Sequence, residues 1–147
     1  MAWIIPSESD VLTVLSETEL ATYRAAAIAS GQADPVAPTL AQVVDLVRGY
    51  VGSYRPNTLG LPGTIPQKLL ATALDLVAVR IPQRVGVSPK DVRLTAATQA
   101  LRLLEQVAAG AFNIEEPDEE TSEVSSAPRP SIAAQRRHFS HHDEEGV

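Results

Sequence analysis

Residues 66–80 read PQKLLATALDLVAVR, and this stretch decides the fold. Leu69, Leu70, Ala73, Leu74, Leu76, Val77, Ala78 and Val79 leave only a thin polar stripe at Lys68, Thr72 and Asp75. A helix that is apolar on most faces sits at the centre of its fold, with neighbours on at least two sides. Pro66 suits its first helical position, and Pro82 is expected to end it.

The neighbours lie on either side in the chain. Upstream, residues 39–54 place Leu40, Val43, Val47, Tyr50 and Tyr54 at spacings of 3, 4, 3 and 4, one apolar stripe of a helix with Thr39 as its N-cap. Gly49 and Gly52 near its end each cost up to about 1 kcal/mol against Ala. Downstream, Ser88, Pro89 and Asp91 read as N-cap, first position and capping box. Leu94, Ala97, Leu101, Leu104 and Ala108 then repeat the 3, 4, 3, 4 spacing, and Gly110 stops the helix. A further helix is expected from Ser16 to Ser30, opened by the Ser16/Glu19 capping box and closed by Gly31, with a short turn before it at residues 9–15. Residues 32–38 and 55–65 read as Pro- and Gly-punctuated loops. The 55–65 loop nonetheless carries Leu59, Leu61 and Ile65, and the chain starts with an apolar stub, Trp3-Ile4-Ile5-Pro6. No segment alternates with period two. The expected class is all-α: a small bundle of about four helices, followed by a long extended C-terminal arm.

Charge divides the chain at the same place. Residues 1–112 carry nine acids and nine bases, so the body is neutral. Residues 113–147 hold the other nine acids and only Arg129, Arg136 and Arg137, which places the whole net charge of −6 on the arm. With few apolar residues and charge in blocks, the arm alone cannot offset the entropy of ordering and is read as disordered. It falls into an acidic block from Glu115 to Glu123, a Pro/Ser linker, and a segment at residues 131–139. That segment carries Ile132, Arg136, Arg137 and Phe139 and suits folding on a partner. A solubilising tail without a partner is the simpler reading of the same composition.

Several chemistries are excluded. With no Cys there is no disulfide, no Cys-based zinc site and no thiol nucleophile. The chain has no Gly-rich phosphate loop and no HExxH. All three His residues (His138, His141, His142) lie in the arm, so no imidazole serves the body as a base. Those His residues and Asp143 have ligand spacing, but polar tails collect such residues without a metal. Neither enzymatic activity nor a cofactor or metal is expected. No run of about 18 apolar residues and no basic, apolar leader occurs, so no membrane span or signal peptide is expected. Arg48, Arg55, Arg80, Arg84, Lys90 and Arg93 cluster near helix ends and would be the basic rim of a nucleic-acid reader. A neutral body with an acidic arm lacks the usual electrostatic footprint of one.

The runs TLAQVVDLVRGYVGSY, LGLPGTIPQKL, LLATALDLVAVRI and VRLTAATQALRLLEQVAAGAFNI, in this order, resemble the head–tail connector (adaptor) family of tailed phages, the neck proteins of Mu-like prophages among them. The resemblance covers about residues 39–114. It rests on an Arg/Tyr-containing helix end (residues 48–54), the Leu61-Pro62 loop, an apolar helix closing in Arg80, and the small-residue ending 108–110. It implies a structural virion protein at the head–tail interface, assembled in the host bacterial cytoplasm. It further implies a ring, usually of twelve subunits, beneath the portal protein and above a tail-side neck protein (stopper or tail terminator), with DNA passing through the lumen without sequence-specific binding. On that basis Trp3, Ile5, Tyr54, Arg55, Leu59 and Leu61 are the expected subunit contacts. Ile114, Ile132, Arg136, Arg137 and Phe139 are the expected grip of the arm on the portal. The alternative is a small helical DNA-packaging or regulatory factor that binds nucleic acid.

Overall fold

In the computed structural model, which describes residues 3–118, the elements run β1 (Trp3–Ile4), α1 (Glu8–Val11), α2 (Glu17–Ala29), α3 (Val36–Ser53), β2 (Ile65–Pro66), a 3-10 turn (Gln67–Leu69), α4 (Leu70–Arg84) and α5 (Asp91–Ala108). The described residues are a small helical bundle, as the patterning requires. The central position of α4 follows from its sequence: Ala73, Leu74, Leu76, Val77, Ala78, Val79 and Ile81 are all buried. It packs against α3, α5 and α1, and α3 in turn packs against α5. Helix α3 contributes Val36, Leu40, Val43, Val44, Val47 and Val51 to the core, and α2 contributes Leu20, Tyr23 and Ala27. Each fully buried Leu or Val is worth about 1.5–3 kcal/mol against exposure, so this apolar interior dominates stability.

Helix α2 has the expected bounds. The Ser16 hydroxyl accepts from Glu19 N at 3.2 Å, and the Glu19 carboxylate accepts from Ser16 N at 3.1 Å. Four other boundaries differ from expectation. Helix α3 starts at Val36, not after Thr39: Pro35 stands at the N-cap, and Asp34 just before it accepts from Val36 N through Oδ1 at 3.0 Å, satisfying one of the free N–H groups of the first turn. Pro38 is tolerated in the first turn, where its missing N–H has no helical partner to lose. Thr39 is buried at 1% exposure instead of capping.

Pro66 is extended (φ −57, ψ 136) and belongs to β2, so the chain enters α4 through the 3-10 turn. Pro82 does not end α4, which continues to Arg84. Near a helix end a proline forfeits only one backbone bond. Its ring is buried, and its carbonyl accepts from Val85 N at 3.2 Å and Val87 N at 2.9 Å. Helix α5 starts at Asp91, with Lys90 rather than Ser88 at the N-cap and no side-chain cap. Tertiary ion pairs from Lys90 and Arg93 to Glu19 fix that end instead. The helix is also rotated from the expected stripe. Ala97, Ala100, Leu104 and Val107 are buried, while Leu94 and Leu101 are 39% and 36% exposed. The small Ala97 and Ala100 allow close helix approach, and the bulkier leucines are left on the flank.

No strand was expected, yet β1 and β2 pair antiparallel, Trp3 opposite Pro66 and Ile4 opposite Ile65. Two residues a side are too few to show period-two patterning. The pairing brings the N-terminal stub onto the 55–65 loop.

Candidate partner interface around the N-terminal clip

The 55–65 loop is rich in Pro and Gly but is held from three directions. From α3, Arg48 Nη1 donates to the carbonyls of Leu61 (2.8 Å) and Thr64 (2.6 Å), and Nη2 donates to that of Gly60 (3.1 Å). A planar guanidinium with fixed donors suits three converging carbonyls. From the N-terminus, the half-buried Trp3 ring lies 5.7 Å from the Arg48 guanidinium, a cation–π contact. The same ring lies so close to the Gly60 backbone that a Cβ there would meet it at 2.9 Å, so only glycine fits. From within the loop, Thr64 Oγ1 donates to the Leu61 carbonyl at 2.6 Å, and Asn57 Nδ2 donates to that of Val51 at 3.1 Å.

Trp3 also reaches the other end of the chain, its Nε1 donating to the Glu115 carbonyl at 2.9 Å. Phe112 and Ile114 pack against the core, so packing of the body extends past residue 112. A groove of about 440 Å³ lies between the loop and this segment, lined by Tyr54, Asn57, Asn113, Ile114 and Glu115 among others.

Of the expected subunit contacts, Ile5, Leu59 and Leu61 are exposed at 72%, 45% and 57%. Ile5 follows β1 directly, and both leucines stand on the clamped loop that leads into β2, the partner of β1. Trp3 is half-buried as the clip itself, Tyr54 is half-buried against Gly110, and Arg55 is exposed. Of the expected arm residues, Ile114 packs on the body, and Ile132, Arg136, Arg137 and Phe139 lie outside the described residues. Sequence reasoning missed Arg48, Gly60 and Glu115 as parts of this site. An arginine followed within 16 residues by an apolar Gly/Pro loop was the available signal for the first.

Three of the six basic-rim residues are committed elsewhere. Arg48 serves the loop, while Arg93 Nη2 and Lys90 Nζ donate to the two oxygens of Glu19 at 2.9 and 3.1 Å. Arg24 joins Glu8 (2.7 Å) and Asp34 (3.1 Å). The bond from Arg93 is the main cause that holds the Glu19 carboxyl at about 2, against an ordinary 4.5. A depressed carboxyl stabilises the fold fully above its unfolded value and loses that contribution as pH falls from about 4.5 toward 2. The urea midpoint is therefore expected to drop across that window by the equivalent of about 1–3 kcal/mol, and Glu19→Gln is expected to flatten the drop.

Among the described residues no three His, Asp or Glu side chains converge on a metal site, and no helix is long and apolar enough to cross a membrane. Compared with protein-family models, curated proteins and solved structures, the chain matches none.

Proposed function

We propose that the chain is a structural connector of a tailed phage or prophage: a head–tail adaptor whose copies form a ring beneath the portal in the virion neck. The observation that carries this reading is the clamped 55–65 loop, which holds Leu59 and Leu61 in water on a fixed backbone. Exposed apolar groups on a pre-ordered loop associate at low entropic cost. A second pair, Leu94 and Leu101, stands seven residues apart on one face of α5, far from the loop in sequence. A ring is built from two different patches that meet head to tail, and this surface offers two. The neutral body suits a lumen through which DNA slides, since few phosphates would be neutralised. The acidic arm, leaving the body just beyond the Trp3–Glu115 bond, is the part proposed to grip the portal.

Leu61→Asp tests the loop directly. Leu61 is exposed, so stability is expected to change by no more than about 0.5 kcal/mol. Incorporation into neck complexes, read by sedimentation with the portal assembly, is expected to be lost. Normal incorporation of Leu61→Asp together with Leu59→Asp would remove the loop from the subunit interface.

A further inference from the structure

A hollow of about 200 Å³ opens where α4 and α5 meet the turn between α1 and α2, lined by Val14, Asp75, Ala78, Val92, Arg93 and Ala96. Its walls are apolar, and Val92 is 80% exposed, the most exposed large apolar side chain among the described residues. The hollow holds two charged groups. Arg93 is committed to Glu19 and to the Val14 carbonyl. Asp75 has neither a hydrogen-bond nor an ion-pair partner among the described residues, and it stands between the buried Leu74 and Leu76 on the central helix of the fold. Partial burial raises its carboxyl, as expected for an acid lacking a counter-charge.

We propose that the hollow receives the chain's own C-terminal segment 131–139, with a guanidinium of the Arg136–Arg137 pair on Asp75 and its methylene stem along Val92 and Ala78. A hollow of this size holds one long side chain. Arginine meets both of its demands, an apolar stem for the walls and a cation for the carboxylate. The segment is suited to the site by charge: the arm is acidic overall, yet its two adjacent arginines are flanked by Ile132 and Phe139. Reach is ample. Eighteen residues separate Asp118 from Arg136, a span of up to about 60 Å when extended. The whole 18-residue α5, which separates the root of the arm from the hollow, is only about 27 Å long. Tethering supplies an effective concentration on the order of millimolar, so a weak contact suffices. The proposal does not depend on the connector reading; where that reading holds, the segment occupies the hollow before assembly and leaves it to grip the portal.

The absence of native Cys makes the test simple. A spin label is attached to Gln99→Cys, exposed on α5 near the hollow, in the full chain, and amide signals are read by NMR. The signals of residues 131–139 are expected to lose at least half their intensity. Arg136→Glu with Arg137→Glu, which leaves the described body untouched, is expected to restore them, as is Asp75→Asn. Full intensity in the otherwise unsubstituted labelled chain overturns the proposal. So does loss that persists in the arginine variant, or loss seen only when a labelled chain is mixed with an unlabelled, isotope-enriched one, which would assign the hollow to a second copy's arm.

Discussion

Arg48→Ala is expected to cost about 2–4 kcal/mol and to free the 55–65 loop without unfolding the helices. Three carbonyls, those of Gly60, Leu61 and Thr64, lose a charged donor, and Trp3 loses the cation against its ring. Hydrogen bonds to charged groups are worth about 1.5–3 kcal/mol each. Three donors from one side chain act as a unit, and water replaces part of the loss at the exposed Leu61, so the total falls short of the sum. Urea unfolding gives the magnitude. Trp3 is the sole tryptophan, so a red shift of native-state fluorescence reports release of the clip. Arg48→Lys is expected to recover less than half the loss, since one ammonium lacks the fork that spans the three carbonyls. A cost below about 0.5 kcal/mol would show that the loop holds its shape without the arginine.

Gly110→Ala is expected to cost about 2–4 kcal/mol, from two independent sources. Gly110 ends α5 at φ +77, where Gly110 N donates to the Val107 carbonyl and Ala111 N to that of Gln106, the backbone pattern that closes a helix. An L-residue in the left-handed region carries a penalty of about 1–2 kcal/mol. The added Cβ would also run into the Tyr54 ring, which covers this position, and the ring must leave its packed place. Thermal unfolding measures the loss. Combined with Tyr54→Ala, the second source disappears, so the double variant is expected to lose less than the sum of the singles. Strict additivity would mean that the Tyr54 contact carries no energy.

The class of fold and the bounds of α2 were legible because they depend on short-range rules, apolar spacing and a capping box, that act within one segment. The apolar run at 70–79 likewise announced a central helix, since no neighbour is needed to see that it lacks a polar face. The misplaced boundaries share a cause in competing groups. Asp34 reaches Val36 N before Thr39 can act as cap, and Glu19, 71 residues away from Lys90, fixes the start of α5. The rotation of α5 was invisible because spacing alone does not say whether Leu101 or Ala100 faces a close neighbour. The clip was the least legible part. Trp3, Arg48, Gly60 and Glu115 lie far apart in the chain, and each reads alone as an ordinary stub, stripe, loop or tail residue.

The most direct test of the connector assignment is electron microscopy of purified virion necks carrying this chain with a C-terminal tag. A connector is expected to give a ring of copies between portal and tail, with Leu59 and Leu61 buried against the next subunit and tag density on the portal side. Necks that are complete without the chain, or copies found as monomers away from the portal, would contradict it.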